Sequence, residues 1–173
     1  MENVKEMEYL NVGCGNTSIE NAINMDVAVN EFTNPDIIGD LLDIPFHDKT
    51  FKGLILSHVL EHLPKSKHIK ALNEIWRVLK SNGTVYIEVP DLEQVVKNYL
   101  DNHLGKKDYW YMAIYGRDLY DADRHLSGVT STYLTDLLFA NGFSNLKWKN
   151  RGRDIAVLSV LAEKVEAEEN DSK

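Results

Sequence analysis

Hydrophobic and polar positions follow two different periods along the chain, and each period predicts one kind of element. Short, mostly apolar runs at residues 7–12, 23–27 and 51–57 are typical of buried strands, and residues 84–89 add a run rich in β-branched side chains. Residues 67–79 instead place apolar side chains three or four positions apart, which predicts an amphipathic helix. Strands that alternate with helical segments favour an α/β protein with a mostly parallel sheet.

The remaining elements extend this pattern to most of the chain. Residues 35–40 suit a third short strand that ends in a carboxylate, and residues 92–104 and 131–140 are predicted to be helices. Residues 143–149 and 155–162 have the pattern of two strands joined by a turn. We therefore expect an antiparallel hairpin that closes the sheet.

The segments between the predicted strands and helices allow three further predictions. A parallel crossover takes about a dozen residues or more, and the short span from Gly15 to Ile23 must therefore hold a stunted helix or an irregular loop. Gly83 is well suited to cap the helix at residues 67–79 in the left-handed conformation. The irregular segment at residues 105–128 is rich in tyrosine, and a long insertion of this kind is typical of a lid or binding loop.

Composition limits the class of protein. The chain has 173 residues, 43% of them hydrophobic, and a single cysteine, which predicts one globular domain at residues 1–162 without disulfides. Residues 163–173 are polar and acidic and are expected to form a disordered tail. The net charge of −8 argues against a nucleic-acid footprint. Because no membrane segment or signal peptide is recognisable, we expect a soluble, cytoplasmic protein.

A nucleoside-binding pattern follows the first predicted strand. Gly13 and Gly15 allow a sharp backbone turn and a close approach of a ligand. Asp26, at the tip of the second strand, can accept both hydroxyls of a ribose. The third glycine of the dinucleotide fingerprint is missing. The turn alone therefore leaves several nucleotide-binding classes open, including nicotinamide-dependent oxidoreductases, although the chain contains no Tyr-x-x-x-Lys pair.

A second motif, His58-Val59-Leu60-Glu61-His62, formally matches the HxxEH pattern of inverted zinc peptidases. That motif needs a helix, whereas this one begins directly at a predicted strand end and is followed by Pro64. We therefore expect no metal site here. Glu61 is expected to brace the start of the following helix and to point at the rim of the nucleoside site.

Four stretches together carry a more specific signal: residues 10–16, 40–51, 60–63 and 74–91. The run Arg77-Val78-Leu79-Lys80 followed by Gly83, downstream of Glu61-His62, is the most distinctive part. These stretches resemble the class I S-adenosylmethionine-dependent methyltransferases, specifically the group with the methyltransferase type 11 domain. The resemblance implies a single-domain Rossmann-like fold with a mostly parallel seven-stranded sheet, helices on both faces and an antiparallel C-terminal strand.

The resemblance also implies a function and a site. The cofactor would be S-adenosylmethionine, bound by Asn11, Gly13, Cys14, Gly15, Asn16, Asp26, Asp40, Leu41, Ser57, His58 and Glu61. Asp26 would hold the ribose, Asp40 and Leu41 would lie at the adenine, and Ser57 and His58 would line the floor near the sulfonium.

The expected reaction is methyl transfer to a small-molecule or glycan-type acceptor, at oxygen, with a histidine as base. His125 and His58 are the first candidates for that base, ahead of His62. The alternatives are a catalytically silent S-adenosylmethionine-binding partner protein and a nicotinamide-dependent oxidoreductase. The sequence leaves the acceptor's identity and the oligomeric state open.

Overall fold

The structure is a computed structural model that describes residues 7–31, 33–101, 109–119, 123–150 and 156–165. The strands are β1 Tyr9–Val12, β2 Ala22–Asp26, β3 Ile37–Ile38, β4 Phe51–Ser57, β5 Leu79–Pro90, β6 Phe143–Asn150 and β7 Val157–Lys164. The helices are α1 His68–Val78, α2 Leu92–Leu100, α3 Tyr109–Tyr115 and α4 Ser131–Ala140. Two short 3₁₀ turns, at Leu60–His62 and Lys65–Lys67, precede α1.

All seven strands form one sheet in the order β3-β2-β1-β4-β5-β7-β6. The strands from β1 to β5 pair in parallel, and β7 runs antiparallel to both of its neighbours, β5 and β6. This arrangement confirms the predicted Rossmann-like fold with a mostly parallel seven-stranded sheet and an antiparallel C-terminal strand. It also confirms the predicted hairpin of β6 and β7.

The core lies on one face of the sheet. Leu10, Leu54, Val85 and Ala162 are neighbours in register across four strands, and all are buried. Helices α1 and α4 cover this face with the apolar side chains Ala71, Leu72, Ile75, Leu134 and Leu138. The three-and-four spacing that predicts an amphipathic helix in the sequence therefore corresponds to the face that α1 buries.

The first connections lack helices. Residues 13–21, between β1 and β2, form turns and bends, as the short spacing predicts. The described parts of residues 27–36 and 39–50 contain no helix either. In the described residues, the helices that flank the sheet therefore all come after β4. Tyr9, whose side chain lies on the face opposite the core, is 46% exposed.

Helix α1 ends earlier than the position of Gly83 suggests. Leu79 is already extended, with φ −75° and ψ 136°, and Asn82 rather than Gly83 adopts the left-handed conformation. Gly83 is needed for a different reason, because a Cβ there would lie 2.8 Å from the carbonyl oxygen of Lys80. The predicted glycine cap is therefore wrong, and the glycine serves the close approach of two backbone segments.

The predicted lid and tail fall partly outside the described residues. Within the insertion, α3 packs on α2, with the rings of Tyr99 and Trp110 5.4 Å apart, so this part is helical rather than irregular. Residues 102–108 and 120–122 lie outside the described ranges, as do residues 166–173 of the predicted tail. Strand β7 continues through Lys164, two residues past the predicted end of the domain.

None of the helices in the described ranges is long and apolar enough to cross a membrane.

Candidate functional site

The polar side chains that the sequence singled out converge at one edge of the sheet. Strands β1, β2, β4 and β5 are parallel, so their carboxyl ends meet at this edge. The turn after β1 supplies Gly13 and Gly15, β2 ends in Asp26, and β4 delivers Ser57 and His58. An open α/β sheet binds its ligands outside the carboxyl ends of its strands.

The glycine turn is tightly packed and tied to Asp26. Gly13 and Gly15 have φ angles of 65° and 55°, and a Cβ on Gly13 would lie 2.5 Å from a methyl carbon of Val59. The amide of Gly15 donates to Oδ2 of Asp26 at 2.8 Å, and the amide of Val27 donates to Oδ1 of Asp26 at 2.8 Å. Each carboxylate oxygen keeps a further lone pair for a ligand hydroxyl.

Two predicted site residues support the turn from behind. Asn11 is buried, and its amide donates to Oδ1 of Asn24 and to the carbonyl of Thr17. Burial raises the pKa of the Cys14 thiol to about 11, so Cys14 is a packing residue and not a nucleophile. Asn16 is exposed. The side chains of Asn11 and Cys14 therefore shape the turn from within the protein.

The turn after β3 lies next to Asp26. The amide of Gly39 donates to the carbonyl of Asp26 at 2.8 Å. Asp40 is exposed and accepts from the amide of Leu42 at 2.8 Å. Leu41 is buried in the core beside this turn.

His58 has an unusual backbone and two acidic neighbours. Its φ is 57°, and its side chain is 45% exposed. Nδ1 of His58 lies 3.1 Å from Oε1 of Glu61, and Nε2 lies 3.7 Å from Oε1 of Glu88. Because a carboxylate can only accept, Nδ1 carries the proton in the bond to Glu61. Glu61 thus contacts His58 instead of bracing the following helix.

Glu88 is a member of the site that the sequence analysis missed. It is buried on β5 and accepts from Ser57 Oγ at 3.2 Å and from the hydroxyl of Tyr86 at 2.7 Å. Its signal in the sequence is an acidic residue within the apolar run at residues 84–89, next to the end of a parallel strand. The sequence alone does not identify this carboxylate as part of the site, because its place depends on which strand pairs with β5.

His62 and His125 complete a cluster around Glu61. Nδ1 of His62 donates to the carbonyl of Arg124 at 3.0 Å, and Nδ1 of His125 donates to the carbonyl of Ala113 at 3.0 Å. The two rings are 4.8 Å apart, and Nε2 of His125 is 4.0 Å from Oε1 of Glu61. Burial lowers the pKa of His125. The structure therefore brings all three candidate histidines within reach of one buried carboxylate.

A separate surface groove of about 500 Å³ contains none of the predicted site residues. It lies between α4 and the C-terminal strands and is lined by Asp91, Ser131, Thr132, Thr135, Asp136, Trp148, Lys149 and Leu158. The groove has two carboxylates, Asp91 and Asp136, but its lining includes no histidine and no glycine turn. We therefore take the strand ends, and not this groove, as the candidate active site.

Residues 10–87 match the family model of a methyltransferase domain. An uncharacterised protein of Methanocaldococcus jannaschii is 32% identical over 112 residues, covering 58% of this chain and 48% of that protein. The chain thus spans about half the length of this relative.

Solved structures share the whole fold. A methyltransferase of Methanosarcina mazei described as S-adenosylmethionine-dependent has a TM-score of 0.63 at 17% identity, covering 92% of each chain. A putative methyltransferase of Haloferax volcanii, solved in complex with the Trm112 methyltransferase activator, has a TM-score of 0.64 at 16% identity, covering 95% of this chain and 85% of that chain.

The sheet order is that of a Rossmann-like fold, and residues 10–87 are similar to a methyltransferase domain. In these stretches the chain is similar to the class I S-adenosylmethionine-dependent methyltransferases, and the solved structures have the same fold.

Proposed function

We propose that the chain binds S-adenosylmethionine at the carboxyl ends of β1 and β2 and transfers its methyl group to a small-molecule or glycan-type acceptor, at oxygen. The observation that carries this proposal is the tight turn of Gly13 and Gly15, bonded through the Gly15 amide to Asp26. The turn leaves room for a ligand beside the backbone, and Asp26 supplies the ribose acceptor.

The charge of the site suits this cofactor. Asp26, Glu61 and Glu88 are all buried near the same edge of the sheet. A sulfonium is a cation, and buried carboxylates raise the local concentration of a positive ligand. Methyl transfer from a sulfonium then depends mainly on holding the acceptor close and in line, with water excluded.

We assign the base to His58. Its Nδ1–H is held by Glu61, which fixes the ring and leaves the Nε2 lone pair as the proton acceptor. The 45% exposure of its side chain also lets an acceptor reach it. His125, the other predicted base, has a side chain only 9% exposed, and its Nδ1 is used by the carbonyl of Ala113. His58 is therefore the stronger candidate for deprotonating a hydroxyl.

Calorimetry tests cofactor binding. We expect the wild-type protein to bind S-adenosylmethionine and S-adenosylhomocysteine with micromolar dissociation constants, as is usual for enzyme ligands. We expect it not to bind NAD. Asp26→Ala should lose this binding. The matched control is Asp136→Ala, an exposed carboxylate on α4. Binding of NAD alone would overturn the proposal in favour of an oxidoreductase.

Methyl transfer is tested next, with isotope-labelled cofactor and a panel of hydroxyl-bearing small molecules and glycans. His58→Ala should lower kcat by about 100-fold or more, the usual contribution of a general base, while leaving cofactor affinity within a few-fold. Cofactor binding without turnover on any acceptor would favour the silent-partner alternative.

A further inference from the structure

We propose that Glu61, His62 and His125 form a binding site for a divalent transition-metal ion, for which Zn²⁺ is the test ion. One oxygen or nitrogen atom from each of these residues lies within 4.8 Å of the other two. The set of two imidazoles and one carboxylate is a common ligand set for zinc with an open coordination position. The proposal reverses the expectation of no metal drawn from the sequence.

The histidine tautomers favour a metal. A backbone carbonyl can only accept, so the contacts to Arg124 and Ala113 require a proton on Nδ1 of both His62 and His125. In a neutral ring this leaves a lone pair on Nε2. Metal-binding histidines almost always donate their other ring N–H to a carbonyl or carboxylate in this manner.

Glu61 supplies an independent observation. Its side chain is 2% exposed, and among the described residues its Oε2 has no hydrogen-bond partner. The other oxygen, Oε1, accepts from His58 and is 4.0 Å from Nε2 of His125, too far for a hydrogen bond. A buried carboxylate oxygen without a donor is costly, and a cation between Glu61 and the two rings would satisfy it.

The backbone holds the three residues in place before any ion binds. The carbonyl of Glu61 accepts from the amides of Leu126 and Ser127 at 2.8 and 3.1 Å, which fixes the His125 segment against the 3₁₀ turn. The amide of His125 donates to the carbonyl of Tyr115 at 3.1 Å. In a tetrahedral zinc site the ligand atoms are about 3.4 Å apart, given bonds of about 2.0–2.1 Å. Small side-chain rotations therefore suffice to close the site.

The site differs from that of the inverted zinc peptidases. In those peptidases both histidines of the HxxEH motif lie on one helix and bind the metal. Here His58 has a φ of 57°, which is not helical, and it is not one of the three ligands. The second imidazole comes instead from His125, which packs against His62. Three protein ligands leave a position for solvent or for an oxygen of a bound molecule. The proposal does not rest on methyl transfer, and its test uses no S-adenosylmethionine.

Metal binding is measured on the untagged 173-residue chain after chelator treatment and dialysis. We expect one Zn²⁺ per chain by calorimetry, no competition by Mg²⁺, and visible absorption from Co²⁺ in the same site. His62→Ala and His125→Ala should each weaken Zn²⁺ binding by at least about 100-fold, because even groups that only orient a ligand contribute about 10–100-fold. His47→Ala, which alters an exposed histidine outside the cluster, should bind like the wild type.

Histidine ring ¹⁵N shifts provide a readout that needs no variant. Addition of Zn²⁺ to the wild-type protein should move the Nε2 signals of His62 and His125 and leave that of His47 in place. The proposal is overturned if the wild type binds no stoichiometric Zn²⁺, if the variants bind as tightly as the wild type, or if the ring signals do not move.

Discussion

At the residue scale, His68 illustrates a polar group that burial keeps neutral. It is fully buried, and its Nε2 contacts the carbonyls of Leu60 and Leu63 while its Nδ1 contacts the hydroxyl of Tyr133. Burial lowers its pKa. The residue joins the 3₁₀ turn of the candidate site to α4.

His68 should make stability depend on pH. In the unfolded chain its pKa is about 6.5, and the folded pKa is lower, so the unfolded state binds more protons as pH falls below about 6.5. The free energy of unfolding should therefore decrease from pH 7 to pH 5, by at most about 1.4 kcal/mol per pH unit for this group. Urea unfolding of the wild type and His68→Gln should give different slopes against pH. Parallel profiles would contradict the assignment, and the exposed His47→Gln is the control.

At the element scale, Arg77 and Glu74 of α1 hold the helix-free crossover into β4. Arg77 forms a two-pronged contact with Glu74 at 2.9 and 2.7 Å and donates to the carbonyls of Ile44 and Phe46. The amide of Ile44 in turn donates to Glu74 at 2.9 Å. This contact raises the pKa of Arg77 and lowers the pKa of Glu74. The distinctive arginine of the family pattern thus has a structural role.

Substitution of Arg77 should destabilise the protein without touching the candidate site. Arg77→Ala removes five donated hydrogen bonds, one of them to Asp48, and leaves Glu74 without its cation, which should cost about 2–3 kcal/mol. Arg77→Lys should recover less than half of this loss, because an ammonium cannot reproduce the planar fork. Denaturant unfolding measures both. Full recovery by lysine would mean that charge alone matters at this position.

At the scale of the whole molecule, Lys164 fastens the last strand to the end of α1. Its side chain is fully buried, and Nζ donates to the carbonyls of Trp76 and Leu79 and lies 3.7 Å from the centre of a Trp76 ring. Gly142 packs against the same ring, since a Cβ there would lie 2.9 Å from Nε1 of Trp76. One side chain thus connects residues 85 or more positions apart.

Replacement of Lys164 tests this closure. Lys164→Met keeps the length and apolar stem but leaves the carbonyls of Trp76 and Leu79 without their donor, so we expect a loss of about 2–4 kcal/mol in the free energy of unfolding. Lys147→Met, at an exposed position on β6, should change it by less than about 0.5 kcal/mol. Equal stability of Lys164→Met and wild type would show that apolar contact with Trp76 is sufficient.

Local patterns in the sequence determined much of the fold. Strand β4 and helix α4 occupy the predicted residues, because a period of two or 3.6 is a property of neighbouring positions. The glycine turn and Asp26 were also predicted, since a tight turn and a strand-end carboxylate are local features. The short spacing after Gly15 likewise excluded an ordinary crossover helix, because chain length limits what a connection can contain.

Only the tertiary structure decided which distant residues meet. His125 lies against Glu61, 64 positions away by chain number, because backbone hydrogen bonds join the two segments. Lys164 is buried although it is a charged residue that directly follows Glu163, and Glu88 joins the site through the pairing of β4 with β5. Burial and long-range pairing depend on the packing of separate elements. The periodicity of neighbouring residues therefore does not predict them.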